Sequence, residues 1–139
     1  MTLGCFILED TEIGLAAYED LAKQAGFEIV VMAKNVQDAK AEIRNHIHEL
    51  AGFILDMSTP FTSASDEGPD PHAGPSVRDY LMNECGVSPD SILLMSNVIS
   101  EYDLKSCCDH QIDPSMIVEK HELSVEKIKH TFASLFQNQ

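Results

Sequence analysis

The apolar positions of this chain gather into short unbroken runs instead of alternating with polar ones. Residues 5–8, 29–32, 53–55, 92–95 and 116–118 each read as a strand buried on both faces. Between the runs the pattern lengthens to a helical period. Residues 11–24 repeat Ile13, Ala17 and Leu21 every four positions, and Gly26 supplies a stop. Asn35 can cap a helix whose apolar face is Val36, Ile43, Ile47 and Leu50. Pro75 suits the first turn of a third helix, with Val77, Leu81 and Cys85 inward. Residues 98–108 form a weaker helical pattern. Ser124 can cap a last helix with Val125, Ile128, Phe132 and Leu135 facing the core. Strand and helix alternate along the chain, which predicts an α/β fold with a parallel sheet covered on both faces. Residues 61–73, FTSASDEGPDPHA, break the rhythm and read as a long irregular loop that is functional or mobile. No linker or internal repeat is visible, so a single domain over 1–139 is expected.

The run at 53–55 is the one the chain is organised around. It stops at Asp56, and Pro60 cannot continue a central strand. Other runs also end on polar groups: Glu9-Asp10, Ser96 and, after the last, Lys120. In a parallel sheet these ends share one edge, where open α/β sheets place their chemistry. Three crowded acids repel one another unless a cation neutralises them, and carboxylates with retained water suit Mg²⁺. An aspartate can serve as a nucleophile and form an aspartyl phosphate. A lysine and a hydroxyl would then screen the transferring phosphoryl oxygens. Taken singly, each has an ordinary alternative: Asp10 a helix cap, Asp56 or Ser96 a turn residue, Lys120 a solvated side chain.

Composition narrows the functions. The 44% hydrophobic content supports a proper core, and the net charge of −14 opposes binding to phosphate backbones or anionic membranes. Cys5, Cys85, Cys107 and Cys108 show no CxxC spacing, so a metal cluster or disulfide framework is not expected. The start, MTLGCFILED, lacks a basic n-region, and no run is long enough to span a bilayer. A cytoplasmic protein with reduced thiols is the expectation. His46-Ile47-His48 reads as helix surface, and Asp66, Glu67 and Asp70 lack calcium-loop spacing.

Four segments together resemble the receiver domains of two-component response regulators: ILED at 7–10, ILDMSTP at 54–60, ILLMS at 92–96 and MIVEK at 116–120. They occur in the family's order over nearly the whole chain. The resemblance implies a flavodoxin-like (βα)5 fold, doubly wound, with strand order 2-1-3-4-5. It implies Asp56 as phosphoacceptor, Asp10 as a direct Mg²⁺ ligand, Glu9 as a second acid acting through water, and the Ser58 backbone carbonyl as a further ligand. Ser96 and Lys120 would contact the phosphoryl group. The implied function is a stand-alone signalling module in a phosphorelay, not an enzyme beyond self-catalysed phosphoryl transfer and autodephosphorylation. Its implied partners are a histidine kinase or histidine phosphotransfer protein and a downstream protein target, reached through roughly 98–136, with no nucleic acid or membrane.

Some positions depart from the family's pattern. Asn97 stands where a small residue is usual, His121 where proline is usual, and Ile117 at the aromatic switch position. The usual loop glycine is displaced to Gly74. These departures bear on output rather than on phosphorylation. Three other functions compete. An aspartate-nucleophile, Mg²⁺-dependent phosphatase would carry an acid two residues after Asp56, where Ser58 stands. A flavodoxin-like cofactor binder would not place Glu9-Asp10 where a phosphate must sit. A receiver fold kept only for protein binding is the third.

Overall fold

The computed structural model describes residues 3–64 and 68–137. Strands β1 (Gly4–Leu8), β2 (Ile29–Ala33), β3 (Leu50–Asp56), β4 (Ile92–Ser96) and β5 (Ile117–Glu119) form one parallel sheet in the order β2-β1-β3-β4-β5. This is the order the resemblance implied. The helices are α1 (Glu12–Ala25), α2 (Val36–His46), α3 (Ala73–Cys85), α4 (Glu101–Asp109), α5 (Val125–Thr131) and the short α6 (Ala133–Phe136). β3 is central, with Leu55 beside Leu8 of β1 and Asp56 beside Met95 of β4.

The unbroken apolar runs follow from burial on both sides. Phe6, Leu8, Phe53, Leu55, Ile92 and Leu94 face the core under α2 and α3, while Cys5, Ile7, Ile54, Leu93 and Met95 face the core under α1 and α5. Alternate side chains of one strand therefore enter different cores, and both must be apolar.

Several elements differ from the sequence expectation. The buried face of α1 is Leu15, Ala22 and Ala25 with Tyr18 and Leu21 against it, whereas Ile13 is 86% exposed. Ala22 and Ala25 share this core with the Phe27 and Phe132 rings, so packing overrides the four-residue repeat. Ile47 lies in a 3₁₀ turn, and Leu50 belongs to β3 and not to the face of α2. α4 begins at Glu101, after the Ser100 cap, three residues later than expected. The last helix is broken at Phe132, whose ring meets Phe27 edge-on at 5.7 Å between centroids, and Phe136 meets Phe27 at 5.2 Å.

The long loop is tied down at both ends. The Pro60 and Phe61 carbonyls accept from the first-turn N–H groups of Val36 and Gln37 in α2. Thr59 and Asp70 form an isolated antiparallel bridge at the loop's base. Of the acidic cluster, Asp66 and Glu67 lie outside the described residues, and Asp70 accepts from the His72 N–H at 2.8 Å.

Candidate functional site

The carboxyl ends of β1 and β3 and the turn after β5 bring the ionic groups to one place. Asp56 is 3% exposed and Glu9 1% exposed. The Lys120 ammonium lies between them, donating to Glu9 Oε1 at 2.7 Å and to Asp56 Oδ2 at 2.9 Å. The other Asp56 oxygen, Oδ1, accepts from the Ser58 N–H at 3.0 Å. Carboxylate oxygens of Glu9, Asp10 and Asp56 all lie within 4.8 Å of one another. They line a cleft of about 730 Å³ with Lys120, Ser58 and Ser96, rimmed by Ile13, Val98 and Tyr102.

Local chemistry explains each placement. Thr11, not Asp10, caps α1: its hydroxyl accepts from the Gly14 N–H at 3.0 Å and donates to Glu9 Oε2. Asp10 is thereby left to the carboxylate cluster. A Cβ on Gly14 would come within 2.5 Å of Glu9 Oε2, so glycine there leaves room for the buried acid. Gly74 has a similar role in α3. A Cβ at Gly74 would run into the Asp56 carbonyl oxygen, and its own N–H donates to the Met57 carbonyl at 3.0 Å. The start of α3 therefore rests directly on the strand end that carries Asp56.

Burial and charge set the protonation. Burial pushes Asp56 up to about 7, against the Lys120 hydrogen bond that lowers it, with the nearby Glu9 charge raising it further. Glu9 is subject to the same burial, but Lys120 and Thr11 together hold it below the ordinary carboxylate value. Lys120 is raised despite burial, because both acids favour its charged form. One ammonium thus compensates Glu9 well and Asp56 incompletely, and Asp10 adds a third carboxylate. An all-oxygen acidic set open to water on one side fits a hard divalent cation such as Mg²⁺.

Ser96 lies in the same cleft, but its hydroxyl bonds to other lining residues and not to Asp56 or Lys120. Ser96 Oγ is 2.8 Å from Asp103 Oδ2 and 3.1 Å from the Val98 carbonyl. Asp103 was not singled out from the sequence, although Ser100-x-x-Asp103 has the spacing of a capping box and forms one. Glu119 was also missed: its carboxylate accepts from the Ile99 N–H at 3.0 Å and pins the loop between β4 and α4. Ile117 is buried in the core under α2 and α3. Elsewhere, His46 faces Glu42 and Glu49 on the surface, Cys107 is buried, and Cys108 is exposed.

No protein-family model matches the chain, and no curated protein matches it. Solved structures do match. A DNA-binding response regulator of the LuxR family from Staphylococcus aureus is similar at TM-score 0.71 and 20% identity, over 97% of this chain and 98% of that one. CheY from Borrelia burgdorferi, solved with CheX, BeF3 and Mg²⁺, is similar at TM-score 0.70 and 17% identity, over 96% and 89%. This chain has the receiver fold. A response-regulator receiver domain from Clostridium thermocellum shares it at TM-score 0.70 and 11% identity, over 98% and 95%. Among the described residues, no helix of this receiver fold is long and apolar enough to cross a membrane.

Proposed function

We propose that this chain is a phosphoacceptor receiver domain of a two-component phosphorelay, with Asp56 as the residue that takes the phosphoryl group. The observation that carries the reading is the setting of Asp56. It is a buried carboxylate at the end of the central strand, ion-paired to Lys120 and within 4.8 Å of the oxygens of Glu9 and Asp10. Burying an aspartate beside one lysine and two further acids costs stability, and such groups concentrate at sites that do chemistry.

In this reading an Asp56 carboxylate oxygen attacks the phosphorus of a phosphodonor. A bond from phosphorus to oxygen forms, the bond to the donor breaks, and the donor leaves with that electron pair. Glu9, Asp10, Asp56 and the Ser58 carbonyl would hold Mg²⁺, which supplies charge neutralisation at the phosphoryl oxygens. Lys120 bridges Asp56 and Glu9 now and would turn its ammonium to the new phosphoryl oxygens. Ser96 would donate its hydroxyl to a phosphoryl oxygen. The donor would be a histidine kinase or a histidine phosphotransfer protein, and the output a protein contact. The neighbour solved with BeF3 and Mg²⁺ supports this reading by fold alone.

The test is incubation with acetyl phosphate and Mg²⁺ followed by intact-mass measurement. One phosphoryl adduct is expected on the wild-type protein and none on Asp56→Asn with its fold intact. Undiminished labelling of Asp56→Asn would remove Asp56 from the role. The engagement of Ser96 with Asp103 favours one second reading, a receiver fold that only binds proteins. That reading predicts no adduct on either protein.

A further inference from the structure

Ser96 is the group the proposed chemistry would draw on at the end of β4, and its proton is already committed. A hydroxyl donates only one hydrogen bond. The shorter contact is to Asp103 Oδ2 at 2.8 Å, in a pair where Ser96 is 7% and Asp103 4% exposed. The same Asp103 oxygen accepts from the Ser100 N–H at 3.0 Å, and the Asp103 N–H donates to Ser100 Oγ at 3.1 Å. One carboxylate oxygen therefore joins the Ser96 hydroxyl to the cap of α4.

We infer that Asp103 is a positioning residue that latches Ser96 away from Asp56, so that a phosphoryl group and the cap of α4 compete for one hydroxyl. The inference rests on the phosphoacceptor reading. A phosphoryl oxygen carries no proton of its own, so a Ser96–phosphoryl hydrogen bond requires the Ser96–Asp103 bond to break. Asp103 would then keep only its bond within the capping box, and the segment from Asn97 to Ser100 would be free to follow Ser96. The far end of α4 is anchored differently. Ser106 Oγ donates to the Pro71 carbonyl at 3.0 Å, and His110 Nε2 lies 3.2 Å from His72 Nδ1, with His110 Nδ1 2.6 Å from Asp79. Release at the cap would therefore pivot the first turn of α4 about a held C-terminal end. Val98 and Tyr102, 70% and 76% exposed, lie on the part that moves.

The experiment is calorimetric titration with beryllofluoride at saturating Mg²⁺. Asp103→Asn keeps the size of the side chain and removes its charge, so it should bind beryllofluoride about three- to tenfold tighter than wild type. In a Ser96→Ala background Asp103→Asn should change nothing, because the competed proton is gone. Ser100→Ala weakens the cap without touching the Ser96–Asp103 pair and should leave the affinity unchanged. Equal tightening by Ser100→Ala, or by Asp103→Asn without Ser96, would reduce Asp103 to a structural cap. Amide NMR of the wild type gives a readout independent of any variant. Beryllofluoride added to Mg²⁺-loaded protein should shift Ser100 and Asp103, and shifts confined to Asp56 and Lys120 would overturn the latch alone. Failure of every variant to bind beryllofluoride would overturn the phosphoacceptor reading and the latch with it.

Discussion

Asp56 and Glu9 share one lysine and burial raises both, yet their net shifts run in opposite directions, because Lys120 and Thr11 together outweigh burial only at Glu9. Asp56 is raised to about 7 from 3.8, so the metal-free native protein retains a proton that the unfolded chain releases between those values. Stability therefore falls as pH rises across that interval and levels off above it. Glu9 is lowered, so it contributes stability above its ordinary 4.5 that is lost as pH falls through its native value. Asp56→Asn removes the first effect and keeps the Lys120–Glu9 pair. Without divalent cations it should be more stable than wild type by about 1–3 kcal/mol at pH 8, the difference closing towards pH 4. Urea denaturation of both proteins at the two pH values measures this. A destabilised Asp56→Asn at pH 8 would mean that Lys120 compensates Asp56 fully.

The site depends on how closely α3 sits on β3. Gly74 gives that approach, because an added Cβ would meet backbone at Asp56 and come within 2.9 Å of the Met57 Cα, neither of which can rotate away. Gly74→Ala should cost about 1–3 kcal/mol in thermal or urea unfolding and shift the Asp56 and Met57 amide resonances. A change below about 0.5 kcal/mol would show that the loop before α3 yields instead. Most elements were legible in the sequence through their period and caps: Asn35 and Ser124 cap α2 and α5, and Gly26 ends α1 as expected. The exposed side of α1 was misread, because Ile13 and Ala17 carry a helical repeat that Leu15, Ala22 and Ala25 bury instead. Amphipathic period alone cannot choose between two overlapping faces when one includes small alanines that share a core with aromatic rings. The break at Phe132 was invisible for a related reason, since its ring is held by Phe27, over a hundred positions away along the chain.

Over the whole molecule, the net charge of −14 opposes any polyanion. No salt-sensitive gel-shift complex with duplex DNA is expected up to about 10 μM protein, and such a complex would overturn the argument from charge. The sequence by itself determined the alternation of strand and helix, the burial of the strands on both faces, and the identity of the polar residues that end them. Those are properties of period and residue type, which neighbours along the chain express. Because a parallel sheet aligns its strand ends, the set Glu9, Asp10, Asp56, Ser96 and Lys120 also followed from the sequence. Only the tertiary structure decided how they divide their contacts: one ammonium between two acids, Thr11 instead of Asp10 as the cap, Ser96 turned to Asp103, and Glu119 on Ile99. Hydrogen-bond partners far apart in the chain are chosen by ångström-scale distances and by competition for single protons, which no one-dimensional spacing records.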